Sequence, residues 1–187
     1  MIDVFASFGL AAATGLNAYL PLLIVGLLSR YTDLIALSQP WNILENGWVL
    51  LVLAVLLAIE LTVDKIPAVD SVNDIVQTFI RPVAGAILFA ANGNVISDLS
   101  PILAMICGLL MASSVHAAKA TARPIVTGTT GGLGNPVVST VEDIVSGVTT
   151  LIAVLLPVLA ALIGLAFLVL VGWWFLRRRR RSAALQT

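Results

Sequence analysis

Apolar runs alternate with short polar clusters along the chain, and the runs set the predicted elements. Stretches close to the ~20 residues that cross a ~30 Å hydrocarbon core recur five times: Val4 to Leu28, Trp48 to Val63, Asp70 to Ala91, Pro101 to Thr121 and Val148 to Leu176. They predict an all-α integral membrane protein with about five transmembrane helices. The segment "RYTDLIALSQPWNILENG" is too mixed to span and, with Trp41 and Trp48, reads as an interfacial loop or short surface helix. "ANGN" is a turn by its Asn-Gly step. "GTTGGLGNP" breaks the pattern between the fourth and fifth runs, as an outside loop or a re-entrant segment, since irregular backbone at membrane depth must line protein or water.

Composition agrees with a bilayer. Of 187 residues, 59% are hydrophobic and 11% charged, with mean hydropathy +1.05, against about 25% charged in soluble domains. The single Cys excludes an intrachain disulfide. Residues 1–176 are expected to form one polytopic membrane domain, followed by a basic tail, 177–187. No basic leader precedes the first apolar run, whose first following cation is Arg30, so that run is expected to stay in the mature protein. Arg30 and Arg177 to Arg181 both follow spans. The positive-inside rule then expects five crossings, with the N-terminus outside and the C-terminus cytoplasmic.

Two stretches echo each other: "PAVDSVNDIV" from Pro67 and "PVVSTVEDIV" from Pro136. A weaker echo pairs "GLAAATGLNA" from Gly9 with "GLLMASSVHA" from Gly108. They suggest half-repeats, 1–92 and 95–176, of the inverted type found in transporters. The spacing of the halves differs, and five crossings leave both acidic motifs on one side, so the symmetry is imperfect.

Charge concentrates in "DKIPAVDSVNDIVQTFIRPVAGAI". Helical spacing puts Asp70, Asp74, Gln77 and Arg81 on one face. Glu60 and Asp64 lie four apart just upstream, beside Lys65. Ser113, His116, Lys119 and Arg123 form a second stripe. Ser139, Glu142 or Asp143, Ser146 and Thr150 form a third, and Thr14 with Asn17 a milder one. A charge at the bilayer centre costs about 2.5–3.5 kcal/mol. Convergence of the stripes on a shared, charge-paired cavity removes much of that cost; the plainer readings are a solvated connection turned by Pro67, or pairs that only hold helices together.

Few enzymatic or metal chemistries fit. One His and one Cys cannot build the common zinc sites. A hard cation would need an oxygen set from Asp64, Asp70, Asp74 and Asn73, whose spacing is not that of an EF-hand. Ser113 or Ser114 with His116 is a weak nucleophile pair, and no Walker loop is present. Enzymatic activity, a cofactor and nucleic-acid binding are not expected.

The motifs "GLNAYLPLL", "DKIPAVDSVND", "FIRPVAGA", "HAAKATARP" and "GNPVVSTVED" resemble those of a bacterial integral membrane family, the domain of unknown function 4126. The resemblance implies a bacterial inner-membrane location and one polar constellation, and supplies no activity. From the residues, the expected function is a small transporter or channel-like protein for an ion or small charged solute. Its pathway would be built from Asn17, Glu60, Asp64, Lys65, Asp70, Asn73, Asp74, Arg81, His116, Lys119, Arg123, Asn135, Glu142 and Asp143. The alternatives are binding or flipping of lipids through their phosphate headgroups and a scaffold with structural ion pairs. The small-residue helices suggest a homo-oligomer.

Overall fold

A computed structural model describes residues 2–92, 100–155, 163–174 and 177, apart from a few side chains at the chain start and in residues 67–72. The described residues form helices joined by turns and one loop, 32–40, whose Leu37 makes an isolated antiparallel bridge with Asn92: α1 (Ile2–Leu16), α2 (Tyr19–Tyr31), a 3-10 turn (Trp41–Glu45), α3 (Gly47–Val63), α4 (Pro67–Ala91), α5 (Pro101–Thr130), α6 (Asn135–Leu155) and α7 (Ile163–Trp174). Three stretches are long and apolar enough to cross a membrane: Asn73–Ala91, Pro101–Thr130 and Asn135–Leu155.

Local chemistry sets the ends. The Asn46 side chain accepts from Trp48 N (2.9 Å) and starts α3. Ser100 accepts from Leu103 N (3.2 Å), with Pro101 in the first turn of α5, where a missing N–H costs nothing. Pro67 does the same for α4. Gly131, at φ +59°, ends α5 in the left-handed region that glycine enters freely, and α6 begins at Asn135.

The first predicted span is not one helix. At 1.5 Å per residue, α1 and α2 cover about 22 and 20 Å, each short of a hydrocarbon core of about 30 Å. The chain breaks at Asn17 and Ala18, and α2 turns back beside α1. Ala6 and Leu10 of α1 thus line a small cavity together with Val25 of α2 and Leu34 beyond it. The expected single helix from Val4 to Leu28 is therefore two shorter apolar helices, Val4–Leu16 and Tyr19–Tyr31. The fourth helix extends beyond Thr121 to Thr130, so "GTT" is helical, and the turn proper is Gly131 to Gly134. The fifth run opens earlier than expected, at Asn135; residues 156–162, within that run, lie outside the described residues, as do the last two residues of "ANGN" and most of the basic tail.

Helix α1 is wedged between α4, α5 and α6. Glycines set the closeness of this packing. A Cβ on Gly85 of α4 would collide with the Ala112 side chain and approach Thr14 Oγ1 (2.9 Å); one on Gly108 of α5 would collide with the Gly85 carbonyl. One on Gly15 would lie 2.6 Å from the Ala112 carbonyl. The small-residue faces expected to meet a second protomer therefore meet each other inside the chain. Phe8, midway along α1, and Phe89 pack edge to face at 4.8 Å. Ser38 N donates to Ala91 O (2.9 Å), tying the loop after α2 to the end of α4.

Candidate functional site

The break in the first hairpin lies within a buried charged cluster. Asn17, fully buried, uses its side chain twice. Its Oδ1 accepts from Tyr19 N (3.2 Å) and Leu20 N (2.9 Å), capping α2, while its Nδ2 donates to Asp143 Oδ1 of α6 (2.9 Å). The two helix ends at the break meet opposite charges. Lys119 Nζ of α5 donates to the Leu16 carbonyl at the end of α1 (3.2 Å). Ala18 N, at the start of α2, points to Glu60 Oε1 of α3 (3.5 Å). A cation at a helix C-terminus and an anion at an N-terminus are the arrangement the macrodipole favours.

Asp64, 1% exposed, is the centre of the cluster. Asn73 Nδ2 donates to its Oδ1 (2.7 Å), and its Oδ2 faces Lys119 (3.3 Å), Arg81 (3.7 Å) and Arg123 (3.7 Å). Arg81, on α4, donates to Glu60 (3.1 Å), reaches Asp74 (3.8 Å) and contacts His116 Nδ1 of α5 (3.0 Å). Arg123 donates to Glu142 (2.6 Å), which Lys119 also meets (3.2 Å). Five carboxylates, Glu60, Asp64, Asp74, Glu142 and Asp143, thus surround three cations, Arg81, Lys119 and Arg123. Among the buried cluster atoms without a hydrogen-bond partner are three carboxylate oxygens, Glu60 Oε2, Asp74 Oδ1 and Asp143 Oδ2, and one donor, Arg81 Nε. Buried polar atoms are normally satisfied, so the cluster offers open positions of both kinds, with carboxylate oxygens on three residues.

Most of the residues singled out in the sequence converge here: Asn17, Glu60, Asp64, Asn73, Asp74, Arg81, His116, Lys119, Arg123, Glu142 and Asp143. Three do not join directly. Lys65 is exposed and donates to the Leu61 carbonyl (2.8 Å). Asn135 is buried one layer away, accepting from Thr127 (3.0 Å) at the α5–α6 turn. The side chain of Asp70 lies outside the described residues. Among those described, no group of three or more His, Cys, Asp or Glu is placed to hold a metal ion. Asp64 is taken up by Asn73 and three cations; the expected trio Asp64, Asp70 and Asp74 includes Asp70, whose side chain is outside the described residues. Ser113 donates to its own helix, at the Leu109 carbonyl (2.6 Å).

Some participants were missed in the sequence. Thr78 Oγ1 lies 2.9 Å from His116 Nε2; it sits one position off the predicted stripe. The Leu16 carbonyl and the Ala18 amide carry no side-chain signal at all. The one local hint was Asn17, a strong turn and cap former inside an apolar run.

The family model for the domain of unknown function DUF4126 matches residues 4–178. The chain belongs to this family. No curated protein and no solved structure matches the chain. Family membership agrees with the sequence resemblance and brings no activity with it, so function rests on the cluster.

Proposed function

We propose that this DUF4126 protein is a small membrane transporter or channel-like protein that moves an ion or small charged solute, a cation first of all, through the cluster at the Asn17 break. One observation carries the reading: α1 and α2 stop inside the protein, and their ends face a charged layer. Transporters bind substrates and coupling ions at such discontinuous helices, where freed backbone groups and helix dipoles serve as ligands. The excess of carboxylates, five against three cations, and the open oxygens of Glu60, Asp74 and Asp143 favour a cation, although Arg81 Nε is also without a partner. The phosphate-headgroup alternative is weaker, because Lys119 spends its three protons on Leu16, Asp64 and Glu142.

In this reading the chain is an integral membrane protein whose basic tail stays in the cytoplasm, by the positive-inside rule. The test is flux in proteoliposomes, with K⁺, Na⁺ and H⁺ offered in turn and chloride as the anion control. Wild type should pass at least one cation, and Glu60→Gln or Asp143→Asn should abolish the flux. Flux no greater than in protein-free liposomes for every ion would leave the scaffold reading in place.

A further inference from the structure

A pocket of about 450 Å³ lies beside the cluster, between α5, α6 and α7. Its walls are apolar: Val115, Ala122 and Ile125 on α5, with Phe167 and Leu170 on α7. Among the described residues, two charged ones line it, Lys119 and Glu142. Size and lining are those of a small-molecule site, mostly apolar with a few placed polar groups. The two charges are not equally accessible. The Lys119 side chain is 1% exposed and its protons are spent, whereas the Glu142 side chain, whose Oε2 meets Arg123 and Lys119, keeps 13% exposure. The charge a ligand meets is therefore a carboxylate, in a cluster where carboxylates outnumber cations. The aromatic ring of Phe167 adds a face suited to a positive group.

We infer that this pocket binds a hydrophobic organic cation, its apolar body between α5 and α7 and its positive end directed at Glu142. The inference names a substrate class for the transport reading and rests on that reading for any movement of the bound cation; binding itself is separately measurable.

Two probes of the same shape and opposite sign, tetraphenylphosphonium and tetraphenylborate, provide the test. Each is titrated calorimetrically into the detergent-purified full chain, with protein-free micelles as baseline. The phosphonium should bind on the order of tenfold more tightly than the borate, a difference well within calorimetric reach. Glu142→Gln should weaken it by a similar factor. Because that substitution also unpairs Arg123, Ala122→Trp serves as a second variant: it fills the pocket, removes no charge, and should abolish phosphonium binding. Equal binding of both probes, binding unchanged in Ala122→Trp, or no phosphonium binding would overturn the inference. Cation flux in proteoliposomes without phosphonium binding would sink the pocket alone. Charge-selective binding lost in Ala122→Trp, without flux of any cation, would sustain the pocket and sink the transport reading.

Discussion

The Arg81 guanidinium stands 3.0 Å from Nδ1 of His116, and Thr78 Oγ1 stands 2.9 Å from the other ring nitrogen. Arginine has no acceptor and stays charged, so Nδ1 must accept from it. Thr78 already donates to the Asp74 carbonyl (2.7 Å), so Nε2 must carry the proton and donate to Thr78. His116 is thus held as the neutral Nε2–H tautomer. Nitrogen-15 spectra of His-labelled protein should show one protonated and one bare ring nitrogen, with the proton on Nε2. A proton on Nδ1 would rule out the Arg81 contact as described.

Arg81 and Glu60 form a buried pair at 3.1 Å, with side-chain exposures of 0% and 1%. Removing one partner of such a pair leaves an uncompensated charge and costs about 3–5 kcal/mol. Arg81→Met should therefore lower the unfolding temperature of the purified protein strongly. Adding Glu60→Gln to it should recover part of the loss. A double variant no more stable than Arg81→Met would mean that the pair is not coupled.

Asn17 caps α2 and holds Asp143. Asn17→Ala should cost about 0.5–2 kcal/mol through the cap alone, and more through the lost bond to Asp143. On the transport reading it should also change ion flux by more than its loss of folded protein explains. Flux that falls only in proportion to folded protein would make Asn17 a structural residue.

Two glycines on α5 should respond in opposite ways to alanine. At Gly108 a Cβ would collide with the Gly85 carbonyl, and overpacking of this kind costs about 1–3 kcal/mol. At Gly128 nothing lies within 4 Å of the added carbon. There, alanine removes the entropic penalty of helical glycine and should stabilise by about 0.5–1 kcal/mol. Thermal unfolding of the two variants checks the pair. Equal behaviour would contradict the close approach of α4 and α5.

Legible in the sequence were the helical character of the chain, the starts of α1, α3, α4 and α5 to within three residues, and most of the residues that carry buried charge. Apolar run length, prolines at helix starts and the three- and four-residue spacing of polar side chains are local signals, and physics reads them locally. The Asp64–Asp74 stretch, the His116–Arg123 stripe and the Glu142–Asp143 pair were legible for that reason. Tertiary structure decided which charges meet. Lys65 and Asp64 are neighbours in sequence, yet only Asp64 enters the cluster, because α3 ends at Val63 and the turn after it leaves Lys65 exposed, donating back to the Leu61 carbonyl. Tertiary structure also decided that the first apolar run folds back at Asn17. Run length counts apolar residues and does not record what satisfies a broken backbone. Here the partners, Lys119 and Glu60, come from helices distant in sequence.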